Sequence, residues 1–188
     1  MKKILGIMVL GLLLSGNAYA NDIKDFQLYK MSIGDSALDH FSEEKIKKYT
    51  HKNWYKNKEM LPVEFPSDND DFNGIGFVYK NGDTNYQILS FDVSKDYSDM
   101  KECNKRLKEE AKLIAETFPS LIKDSFKSKH AADKSRKSKT WNTVFDFKSG
   151  ARIKLSCVDW SKKMKYQDHF RIAINSPEFM KWIKIAHK

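Results

Sequence analysis

The residues of this 188-residue chain with chemistry to offer are two cysteines, five histidines, a serine behind glycine and aspartate, a cluster of acids and a run of lysines. Ile33-Gly34-Asp35-Ser36, followed by Leu38-Asp39, presents a hydroxyl that becomes a nucleophile only if a base takes its proton. Asn69-Asp70-Asp71-Phe72-Asn73-Gly74 sets side-chain oxygens at positions one, three and five and glycine at six, as in the first half of a calcium loop. Position twelve, which must close such a loop with a glutamate, is Lys80, and the hydrophobic eighth position is Gly76. Asp68, Asp70 and Asp71 therefore offer hard oxygen ligands with no closing carboxylate, and the expectation is no metal. Zinc has no support either: His40, His51, His130, His169 and His187 lack ligand-like spacing. No cofactor is expected.

The serine block resembles the first block of GDS-type serine esterases, in which that serine is the nucleophile and its backbone helps build an oxyanion hole. The resemblance covers about seven residues. Those enzymes also need a Gly-x-Asn-Asp block and a late Asp-x-x-His pair, and neither occurs here; Asp168-His169 is adjacent, which is the wrong spacing. Ser36 three residues before Asp39 matches a capping box, so the expected role of Ser36 is to start a short helix. A GDS-type hydrolase using Ser36 is the alternative reading.

The basic residues concentrate. Lys123, Lys127, Lys129, Lys134, Arg136, Lys137 and Lys139 face only Asp124 and Asp133, with serines at 125, 128, 135 and 138 between them. That composition predicts an exposed basic loop near 123–139. Lys162, Lys163 and Lys165 form a second cluster between Trp160 and Tyr166. Both clusters are candidate contacts for an anionic lipid surface, polymer or acidic envelope protein. Thirty lysines against four arginines argue against specific phosphate recognition, and nucleic acid is not favoured.

The elements that must position these residues read as follows. Ser36 opens a short helix, and Ser42-Glu43-Glu44 opens another through Lys48. Pro62 and Pro66 restrict any strand near them to a sheet edge. Ile75 to Lys80 and Tyr86 to Val93 flank Asn81-Gly82-Asp83, a hairpin signal, with a change of apolar parity between Ile88 and Leu89 that predicts a bulge. From Asp99 to Phe118, apolar residues at 100, 103, 107, 111, 114 and 118 make one helical stripe, ended by Pro119. Thr140 to Lys148 and Ala151 to Asp159 form a second hairpin around Ser149-Gly150, His169 to Asn175 a last strand, and Ser176-Pro177 starts a terminal helix. This order predicts an α+β fold, an antiparallel sheet of two hairpins plus a late strand packed against a long central helix and a C-terminal helix.

Lys2 and Lys3, the apolar stretch Ile4 to Leu14 and the exit Ala18-Tyr19-Ala20 form an export signal, with cleavage expected after Ala20. The apolar core is about half the roughly 20 residues that span a bilayer, so no transmembrane anchor is expected after cleavage. Cleavage leaves 168 residues and lowers the formal charge from +9 to +7. One domain is expected over 21–188. Exported and even in number, Cys103 and Cys157 are expected to pair, and both lie at inward positions of the central helix and a strand. The expected Cα separation is within roughly 4.4–6.8 Å.

Three segments carry a wider resemblance: Met31-Ser32-Ile33-Gly34-Asp35-Ser36, Ala132-Asp133-Lys134-Ser135, and Ser156-Cys157-Val158-Asp159-Trp160-Ser161 running into Asp168-His169-Phe170-Arg171-Ile172. They resemble small exported proteins of unknown function from AT-rich marine alphaproteobacteria. That resemblance implies a periplasmic setting and supplies no activity, cofactor or catalytic residue. The functional expectation is a monomeric, periplasmic or secreted, non-catalytic binding or interaction protein; an envelope inhibitor or adaptor is a further alternative.

Overall fold

The computed structural model describes residues 22–67 and 70–186. The expected signal segment and Asp68 and Asn69 of the acidic cluster lie outside them, as does His187. Seven strands, β1 (Met60–Pro66), β2 (Gly74–Lys80), β3 (Ser90–Asp96), β4 (Ile122–Lys129), β5 (Lys139–Asp146), β6 (Arg152–Asp159) and β7 (His169–Asn175), form one sheet. Its order is β1-β2-β3-β7-β6-β5-β4, and every pairing is antiparallel. Three helices accompany it: α1 (Glu43–Tyr49), α2 (Met100–Thr117) and α3 (Pro177–Ala186). The fold is α+β, with more strands than the sequence predicts.

Strand alternation sorts the side chains onto two faces. Val63, Phe77, Phe91, Ile174, Ile153 and Phe145 lie in register across six strands, all buried, and Lys123 ends the row on β4. Helix α2 lies on this face, starting where Asp99 Oδ1 accepts the Lys101 amide at 2.7 Å. Its stripe Cys103, Leu107, Ala111 and Ile114 is buried against β5–β7, and Cys103 is bonded to Cys157 with Cα atoms 6.0 Å apart. The N-terminal arm covers the rest of the face through Phe26, Leu28, Ile33 and Ala37. On the opposite face Phe179 and Trp182 of α3 pack on Met60, Val78 and Leu89, and Val144 and Val158 are also buried.

The parity switch at Ile88–Leu89 is the expected bulge: Val78 registers with Ser90, yet its carbonyl also accepts the Leu89 amide at 2.9 Å, so two residues oppose one. Just before it the chain pairs with the arm: Gly34 N–H donates to Ile88 O and Ile88 N–H to Asp35 O, both at 2.9 Å. Ile88 enters the main core and Leu89 the cluster under α3. One local expectation changes: the segment expected as a basic loop is half strand. Residues 122–129 form β4, paired with β5 along its whole length and exposed at every position. Lysines on an edge strand suit it to solvent and discourage pairing with another chain.

Candidate anion-binding groove

With α2 fixed by its buried stripe and the disulfide, Lys101, Lys105 and Lys108, spaced four and three apart, share one flank of the helix. That flank looks toward Trp141 of β5, which registers with Cys157 on one side and Lys127 of β4 on the other. Met100, Asn104 and Glu109 complete the lining of an open groove of about 530 Å³. The Lys127 ammonium lies 5.8 Å from the Trp141 ring centre, and the Lys123 ammonium 5.9 Å from that of Phe145. Both contacts fall within reach of a cation–π attraction. Lys129 and Lys139 register with each other at the end of the same pair of strands. The groove thus has an aromatic floor, a cationic wall from α2 and Glu109 as the one acid in its lining, with Lys127 of β4 beside the same Trp141 ring. Among the described residues, none of Lys101, Lys105, Lys108, Lys123 or Lys127 is in an ion pair, whereas Lys112 further along α2 is held by Glu116 at 3.7 Å.

The sequence candidates therefore divide. Lys123, Lys127, Lys129 and Lys139 share the α2 side of the sheet. Lys134, Arg136 and Lys137 occupy the turn between β4 and β5, and Lys162 and Lys163 a single 3-10 turn, followed by Lys165 with φ 58°. Asp133 joins these last two groups. It is 2% exposed, and its Oδ1 accepts from the amide and hydroxyl of Ser135 at 2.9 and 2.7 Å. Its Oδ2 accepts from the amide and hydroxyl of Ser138 at 2.9 and 2.7 Å and from Ser161 Oγ at 2.9 Å. The hydrogen bonds, led by those from Ser135 and Ser138, hold this carboxyl far below the usual carboxylate range. Ser135 and Ser138 are thus ligands of a buried carboxylate, and the turn is a built structure. The α2 lysines are the contribution that sequence reading missed. Their helical spacing was visible, but which strand they faced depended on β4.

The remaining candidates are committed elsewhere. Ser36 Oγ donates to Asn85 O at 2.7 Å and accepts the Leu38 amide at 3.3 Å, so the hydroxyl serves as a helix cap. Asp35 accepts the Ser32 amide at 2.8 Å and lies 3.8 Å from His40. Asn73 exchanges two hydrogen bonds with Asp96, and Lys80 lies 3.9 Å from Glu178. Among the described residues no three histidine, cysteine or acidic side chains are placed to hold a metal ion. Nor is any helix among them long and apolar enough to cross a membrane.

No protein-family model, curated protein or solved structure matches the chain.

Proposed function

We propose that this is an exported, non-catalytic binding protein of the periplasm, and that its groove holds a linear anionic polymer of the cell envelope. The observation carrying this reading is the lining of one groove by Lys101, Lys105 and Lys108 of α2 and the Trp141 ring, beside which Lys127 of β4 lies. A groove lined by three successive cations, with a fourth beside its aromatic floor, matches a chain bearing repeated charges better than a flat lipid surface, which would meet only the rims. Trp141 adds an apolar surface for the faces of sugar or other ring units. The non-catalytic part of the proposal draws on Ser36, whose hydroxyl is occupied at both of its backbone contacts.

Binding held by exposed ammonium groups is screened once the Debye length falls from about 10 Å at 0.1 M salt to about 3 Å at 1 M. Retention on immobilised polygalacturonate should be strong at low salt, lost at high salt, and absent from a Lys105→Ser, Lys108→Ser, Lys127→Ser variant. Retention of that variant equal to wild type would defeat the proposal, as would tighter binding to anionic vesicles than to the polymer.

A further inference from the structure

A larger cavity lies at the end of the sheet where β1 begins and β7 gives way to α3. Backbone hydrogen bonds fix the segments around it. The arm pairs with the chain before β3 through Gly34 and Ile88, Ser176 N–H donates to Leu89 O at 2.9 Å, and Asn81 N–H donates to Glu59 O at 2.8 Å. Between these segments is an open cleft of about 1040 Å³, with the arm on one side and a flank of α3 on the other. It shares no lining residue with the groove on α2.

The charge of the cleft is opposite in sign to that of the chain. Asp22, Asp35, Glu59 and Glu178 line it against Lys24 and Lys181, an acidic surplus of two, whereas the whole chain has 34 basic residues against 25 acidic. Among the described residues Asp22 and Glu59 are in no ion pair. Glu178 meets Lys80 at 3.9 Å with both side chains more than half exposed, a contact that water largely screens. The lining also has apolar members. Ile33, Leu89 and Trp182 are buried at its base, while Ile185, three residues after Trp182 on α3, is 59% exposed. Covering Ile185 would therefore remove apolar area from water.

The shape narrows the class of occupant. Enclosed small-molecule pockets run to about 1,000 Å³ and bury most of their ligand. A cleft of this size that is open to solvent suits an extended segment of chain, which sends alternate side chains inward and the others outward. We propose that this cleft is a second binding site, for an extended peptide segment in which apolar and basic residues alternate. Its apolar side chains cover Ile185 and the base, and its basic side chains meet the acids of the lining. An acidic segment would face like charge, a wholly polar cation would leave Ile185 in water, and an alkyl chain would lie partly in water. The site stands independently of the polymer groove, from which it differs in residues and in charge.

The test is a titration at low salt followed by backbone amide resonances, with three peptides: acetyl-Leu-Lys-Leu-Lys-Leu-amide, its Leu-Glu counterpart and its Ser-Lys counterpart. The Leu-Lys peptide should saturably move resonances in 32–35, 87–89 and 177–185. The Ser-Lys peptide should bind more weakly, and the Leu-Glu peptide should leave those residues unmoved. The positive net charge of the protein favours the acidic peptide, so a preference for the basic one reports the cleft itself. Glu59→Gln with Glu178→Gln should weaken the Leu-Lys peptide by about tenfold, the effect of losing two exposed charge pairs. Ile185→Ser should weaken it by about threefold or more. All three positions are exposed, and a melting curve checks that the variants fold. Should a variant not fold, the contrast among the three peptides in the wild type decides alone. No saturable movement, movement confined to residues outside the cleft, equal binding of either control peptide, or unchanged affinity in the folded variants would each overturn the proposal.

Discussion

Two rows of side chains cross all seven strands one residue apart. Val63, Phe77, Phe91, Ile174, Ile153, Phe145 and Lys123 face α2; Glu64, Gly76, Asp92, Ala173, Lys154, Val144 and Asp124 face the other way. The first row is a core closed by a helix and a disulfide. The second mixes charged with small and apolar side chains, and its Asp92 is ion-paired across strands to Arg171. The same ladder of backbone hydrogen bonds serves both, so the difference lies wholly in the side chains. Stability belongs to the core of one face, while the charge left for ligands lies at its margin, where Lys101, Lys105 and Lys108 of α2 line a groove with Trp141.

The sharpest way to break this contrast is to perturb each row at neighbouring positions. Phe91→Ala should cost about 3–5 kcal/mol, the usual loss for a buried aromatic ring. Next to it, Asp92→Asn should cost about 1 kcal/mol, because Arg171 keeps a side chain 44% exposed and can turn to water. Urea unfolding of both variants measures the pair, and equal losses would contradict the division of labour. Reduction of Cys103–Cys157 comes next, with about 2–5 kcal/mol lost and the transition moved to lower urea.

Acid should act through the open face and the clasp. Burial holds His130 and His169 below the usual 6.5. A base whose folded pKa is depressed stabilises the fold above its unfolded value, so that contribution is present above pH 6.5 and is lost as pH falls through the folded values. His169→Gln should therefore flatten the stability profile below pH 6.5; an unchanged profile would contradict the assignment. The depressed Asp133 carboxyl follows the same direction at lower pH, stabilising above the ordinary carboxylate value of 3.8 and failing well below it. Asp133→Asn should speed amide exchange at Ser135 and Ser138 at neutral pH, and exchange at wild-type rates would mean that the clasp is not formed in solution. The smallest expected effect on stability is that of Lys105→Ser, Lys108→Ser and Lys127→Ser, within about 0.5 kcal/mol each.

Much of this architecture was legible because burial imposes a period. The alternation in β5, β6 and β7 and the stripe of α2 place Cys103 and Cys157 on one core before any coordinates are seen. Ser176-Pro177 marks the start of α3 just as clearly, and Phe179 N–H donates to Ser176 Oγ at 3.0 Å. Strand β4 was not legible. Ile122 to Lys129 buries no side chain, so nothing in it alternates, and only its partner β5 makes it a strand. The N-terminal arm was hidden for a related reason: Gly34 pairs with Ile88, a contact between distant segments that leaves no local pattern. The same holds for Asp133, whose bond to Ser161 spans 28 residues and turns an apparent solvated loop into a clasp. Of the basic candidates, the lysines were read correctly as exposed, but their division into groove and rim is tertiary information.

The central claim, that an anionic polymer occupies the α2–β4 groove, is tested most directly by hydrogen exchange with and without polygalacturonate. The account predicts slowed exchange in 100–108 and 122–129, little change at 131–137 and 162–165, and loss of the effect at high salt. Slowing confined to 131–137 and 162–165, with α2 and β4 unchanged, would place the polymer on the clasped rim and contradict it.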